Sequence, residues 1–145
     1  MKTRRRLLVT MFLILFAGSV RADSPASNVQ TKAIASKRTK NMDVVLTNST
    51  GEMKPGENDF CVQFRSPEPA THVDVTDVSA AFRLLVGKIE EPPIKVQLVE
   101  DGAESYCGTI NLGKQYYKPS SYYVFLHYID VGRKKHTVRL FLSVK

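Results

Sequence analysis

From Met42 onward, apolar residues recur at every second position in short runs separated by turn residues. Phe60, Val62 and Phe64 alternate within 59–65, and Val78, Ala80, Phe82, Leu84 and Val86 within 73–86. Ile94, Val96 and Leu98 alternate within 94–100, Tyr106, Gly108, Ile110 and Leu112 within 105–112, and Val138, Leu140, Leu142 and Val144 within 136–144. A period of two places one side chain in two on a buried face, which is the signature of a strand covered on one side. Residues 42–47 form a further strand-like run. Residues 122–129 are apolar at both phases, which predicts a central strand. Asn48-Ser49-Thr50-Gly51, Lys54-Pro55-Gly56, Pro67, Pro69, Pro92-Pro93 and Asp101-Gly102 interrupt the runs with turn chemistry. About seven strands at this spacing, with no amphipathic helix, predict an all-β, antiparallel, two-sheet immunoglobulin-like sandwich over 42–145.

The pattern before Met42 is different. Lys2, Arg4, Arg5 and Arg6 precede the apolar run Leu7–Phe16, and Val20-Arg21-Ala22 follows as a peptidase site, so 1–22 reads as a signal peptide. The apolar run is shorter than the roughly 18–20 residues of a membrane span. Thr3-Arg4-Arg5-Arg6-Leu7-Leu8 also has the form of a twin-arginine signal, but its position and the strong hydrophobicity behind it favour general secretion. Residues 23–41 are polar without apolar period and read as a flexible linker. The expected compartment is therefore periplasmic or extracellular, with no transmembrane span in the mature chain.

Export changes the charge. The 145-residue chain carries 21 Lys and Arg against 14 Asp and Glu. Five of the cations lie in 1–22 and no acid precedes Asp23, leaving 16 against 14, a net +2. Nucleic-acid binding needs clustered cations, and Arg133-Lys134-Lys135 is the only such run, so no nucleic-acid partner is expected. Catalytic signatures such as GxSxG, HExxH, CxxC or a P-loop are absent, and the expectation is a non-enzyme.

Three sets of side chains could carry chemistry. Cys61 and Cys107 are the only cysteines, and both are out of phase with the core residues of their strands. They predict a disulfide on the outer face of one sheet if the strands are neighbours. The alternatives are two free thiols or a soft-metal site for copper, with Met53 nearby. His127 and His136 flank Asp130-Val131-Gly132. A two-residue loop would pair them, whereas a three-residue loop with Gly132 in the left-handed position would set them on opposite faces; Gly132 suits that position better than Val131. Tyr116, Tyr117, Tyr122 and Tyr123 cluster around Lys118-Pro119-Ser120, either as core and corner residues or as a sugar-stacking platform.

Glu52–Phe64, with its Pro55-Gly56-Glu57-Asn58 turn, resembles the opening of the YtkA-like/FixH-like domain family, and Tyr106-Cys107-Gly108-Thr109-Ile110 resembles that family's Gly-x-Tyr-x-Gly strand. The similarity spans about Met42 to Lys145. It implies an immunoglobulin-like sandwich outside the cytoplasmic membrane, with some relatives linked to copper handling. Relatives often carry a Met-rich segment between the middle strands; the matching stretch here, 82–99, has neither Met nor His, so no metal ligand transfers by position. The functional expectation is an exported accessory module acting on an envelope protein partner. The alternatives are a copper-handling protein using Cys61, Cys107 and Met53, and a carbohydrate-binding module using the tyrosines.

Overall fold

The computed structural model describes residues 30–85, 91–102, 104–113 and 120–144. Residues 1–22, read above as a signal peptide, and Val86, Tyr116 and Tyr117 lie outside them. The described residues form nine strands: β1 (Lys32–Arg38), β2 (Asp43–Asn48), β3 (Glu57–Arg65), β4 (Val75–Leu85), β5 (Ile94–Gln97), β6 (Val99–Glu100), β7 (Ser105–Asn111), β8 (Ser120–Asp130) and β9 (Lys135–Val144). They build two antiparallel sheets, ordered β1-β2-β3-β7-β6 and β5-β4-β8-β9. The fold is the all-β two-sheet sandwich that the alternation predicts. No helix of the described residues is long and apolar enough to cross a membrane.

The alternating residues meet between the sheets. Val44, Leu46, Phe60, Val62, Phe64 and Ile110 from the first sheet pack against Val78, Phe82, Val124, Leu126, Leu140 and Val144 from the second, all buried. Phe60 meets Phe82 edge to face, with ring centres 5.3 Å apart. Phe64 likewise sits 5.0 Å from Tyr128 and 5.8 Å from Tyr106. Such pairs stabilise by about 0.5–1.5 kcal/mol beyond their buried area. The Tyr106 hydroxyl donates to the Val75 carbonyl and so ties β7 to the opposite sheet. Burial pushes its phenol above the ordinary range, with Glu100 and Asp74 adding to the effect.

Two features raise the strand count from seven to nine. The run 94–100 is not one strand. Its chain changes sheet at buried Leu98, with β5 pairing β4 and β6 pairing β7. The second addition is β1, which lies inside the stretch read as a flexible linker, so the sheet begins at Lys32 rather than Met42. Period-two burial cannot reveal β1, because only Ile34 and Ala35 in it are even half-buried. Backbone pairing to β2 holds it, together with a bidentate ion pair in which Arg38 Nε and Nη2 donate to Asp43 at 2.8 and 3.0 Å.

Candidate functional site

The cysteines fulfil the parity argument. Cys61 in β3 pairs directly with Cys107 in β7, and their Sγ atoms are bonded at 2.05 Å. The bridge lies on the outer side of the first sheet. Ser105 and Asp101 approach the Cys107 sulfur at 3.9 and 3.6 Å. Met53 is 1% exposed and belongs to the apolar core, on the other side of that sheet. The cysteines and Met53 therefore do not converge, and the thiols are consumed in the bridge. No group of three or more His, Cys, Asp or Glu among the described residues is arranged to hold a metal ion.

The histidines separate as the three-residue loop requires, although the loop sits one residue later than expected. Tyr128 pairs His136 and His127 pairs Thr137. Asp130 stays at the strand end, and the loop is Val131-Gly132-Arg133, with Arg133 rather than Gly132 in the left-handed region at φ 60°. The Asp130 carboxylate explains the shift. It accepts the Lys134 amide N–H at 2.9 Å and holds His136 Nε2 at 2.7 Å, closing the turn around itself. The His136 hydrogen bond, the amide bonds from Lys134 and Gly132, and the His136 charge keep that carboxyl below the usual range. His136 stacks on the Tyr128 ring at 5.1 Å.

His136 and His72 both line a cleft of about 730 Å³ at one end of the sandwich. His72 bridges two carboxylates, with Nε2 2.8 Å from Asp74 and Nδ1 2.8 Å from Glu104. Glu104 also accepts the Val73 amide N–H at 2.7 Å. Each imidazole is thus occupied by its own acids, and these groups act as loop clasps. At the opposite end of β2, the amide of Asn48 is spent on its own turn. It donates to the Glu52 carbonyl and accepts the Thr50 and Gly51 amide N–H groups.

The tyrosine cluster divides. Tyr122 is 2% exposed and points into the core, so it has no ring face for a ligand. Tyr123, the next residue, points to the outer face of the second sheet. There it lies edge to face with Phe125 at 6.4 Å and with Phe141 at 6.0 Å. Arg139 places its guanidinium 4.9 Å from the Tyr123 ring centre, and Arg83 lies 5.8 Å from that of Phe125. Register builds this cluster: Arg83 opposes Tyr123, Tyr123 opposes Phe141, and Phe125 opposes Arg139. Each arginine leans diagonally across β8 onto the other ring, and Phe141 remains 57% exposed.

The residues that sequence reasoning missed are Arg83, Phe125, Arg139 and Phe141. The signal for them was present. Residues 122–129 are apolar at both phases, and β8 is indeed flanked by β4 and β9, but no third layer covers its outer side among the described residues. Phe141 is the out-of-phase aromatic in an otherwise strictly alternating β9.

The class defined so far is a disulfide-bridged two-sheet β-sandwich with an aromatic, cationic outer face on one sheet. Neither protein-family models nor curated proteins returned a match for this chain.

Proposed function

We propose that this protein is an exported, non-enzymatic binding module that acts by contact with a protein partner in the cell envelope, and that its contact surface is the outer face of the β5-β4-β8-β9 sheet. The observation that supports this reading is the outward-facing aromatic cluster of half-buried Tyr123 and Phe125 with exposed Phe141, and the two arginines over its rings. Aromatic residues and arginine are the side chains most enriched at the energetic centres of protein interfaces. The signal-like segment 1–22 and the Cys61–Cys107 bridge support export, because disulfides persist in oxidising compartments. The turn and strand motifs shared with YtkA-like/FixH-like domains are in keeping with an envelope accessory role.

Site-specific photocrosslinking tests the reading. A benzophenone side chain at Phe141, on the proposed face, should yield a discrete adduct in envelope preparations. The same group at Thr109, on the outer side of the other sheet, should not. Equal labelling from both positions, or none from Phe141, would overturn the proposal.

A further inference from the structure

The chemistry of this face specifies its partner further, and the inference rests on the binding-module reading above. Outward positions in β4, β8 and β9 are every second residue of 79–85, 121–127 and 137–143, joined in β5 by Lys95 and Gln97. They include three cations, Arg83, Lys95 and Arg139, and no carboxylate. Asp77 contacts Gln97 only at the far end of β4, in its bulge. Among the described residues neither Arg83 nor Arg139 has a carboxylate partner. Among the same residues the buried Arg83 Nε has no hydrogen-bond acceptor.

A guanidinium stacked on an aromatic ring is held by its face and keeps its N–H edge free. That edge matches a carboxylate with two parallel hydrogen bonds. The same stacking competes with a sugar for these rings, because Arg139 already covers one side of Tyr123 and Arg83 one side of Phe125. The exposed Phe141 beside them offers an apolar contact. A second copy of this chain would bring cation to cation across the same face.

We propose that the outer face of the β5-β4-β8-β9 sheet docks an acidic protein segment, with carboxylates on Arg83 and Arg139 and an apolar side chain against Phe141.

The test measures binding of the full chain to a labelled peptide of alternating Glu and Leu, to its Lys and Leu counterpart, and to polygalacturonate. The acidic peptide should bind and the basic one should not. Its affinity should fall at least about tenfold between low and physiological salt, as exposed charge pairs are screened over about 8–10 Å. Arg83→Gln with Arg139→Gln should weaken it at least about tenfold, the loss of one or two charge-assisted contacts. Phe141→Ser should weaken it with the salt slope preserved. Arg65→Gln, on the other sheet, should leave it unchanged, and thermal unfolding of each variant confirms the fold. Failure to bind the acidic peptide, tighter binding of polygalacturonate, equal loss in Arg65→Gln, or self-association through this face would each overturn the proposal. If Phe141 crosslinks a partner while binding ignores salt and both arginines, the acidic-partner inference fails and the binding-module reading stands. If Phe141 crosslinks nothing, both fail.

Discussion

Gly108 lies directly beneath Leu98: a Cβ at position 108 would come within 2.7 Å of Leu98 Cδ2 and 3.0 Å of Val96 Cγ1. This is the place where the chain leaves β5, drops Leu98 into the core and enters β6. The crossing strand packs close to β7 because Gly108 has no side chain. Gly108→Ala should therefore destabilise the fold by about 1–2 kcal/mol, although Ala in a strand otherwise gains about 0.5–1 kcal/mol in backbone entropy, because overpacking costs of about 1–3 kcal/mol dominate. Urea unfolding measures it. Leu98→Ala should cost less in the Gly108→Ala background than in wild type, since the two residues touch and their effects should not add.

The disulfide yields a second expectation. Cys61 and Cys107 are separated by 46 residues, and closing a loop of that length restricts the unfolded chain by about 4 kcal/mol in the entropic account. The double variant Cys61→Ser/Cys107→Ser should unfold at markedly lower urea. Reductant should shift wild type toward it and leave the double variant unmoved. Thiol titration of the native chain should find none until it is reduced. Met53→Leu should leave any copper binding by the reduced chain unaltered, because Met53 packs in the core, away from the outward-facing sulfurs.

Much of this architecture was legible because alternation encodes which face is buried. The parity of Cys61 and Cys107 against Phe60, Val62, Tyr106 and Ile110 placed both side chains on an outer face, and the bridge there required in addition that their strands be neighbours, as β3 and β7 are. What alternation cannot carry is pairing held mainly by the backbone, as in β1, or a change of sheet within a run of unbroken period, as at Leu98. The proposed contact face was half legible. Tyr123 was singled out for being a tyrosine near others, yet what distinguishes it from Tyr122 is strand phase. Its partners Arg83, Phe141 and Arg139 come from strands far apart in sequence, which only register brings together.

Arg133 occupies the left-handed region at φ 60°, where a side chain costs about 1–2 kcal/mol relative to glycine. Three-residue hairpin loops favour glycine there. Arg133→Gly should raise stability by about 0.5–1 kcal/mol once the greater entropy of glycine in the unfolded chain is subtracted. Arg133→Val should lower it, because β-branched residues tolerate that conformation worst. Thermal unfolding of the two variants at fixed pH and salt should move in opposite directions; both falling together would place the left-handed residue elsewhere in the loop.

The last expectation concerns acid. Asp130 has its carboxyl held below the ordinary value of 3.8, first by the hydrogen bond to His136 and then by the Lys134 amide. A group whose folded value is depressed stabilises the fold at pH above its unfolded value, and that contribution is lost as pH falls through the folded value. Asp130 should therefore contribute fully above about pH 5 and progressively less below about pH 4. Asp43 adds to the same limb, since its hydrogen bond from Arg38 also lowers it. Asp130→Asn keeps an acceptor for the Lys134 amide but cannot lose a charge-dependent contact with His136. Its stability should start lower at neutral pH and fall less steeply between about pH 4 and 2. Asp130→Asn with Asp43→Asn should flatten that limb further. Chemical unfolding at a series of pH values reads both slopes, and parallel curves for wild type and Asp130→Asn below pH 4 would mean that the Asp130–His136 clasp does not persist in solution.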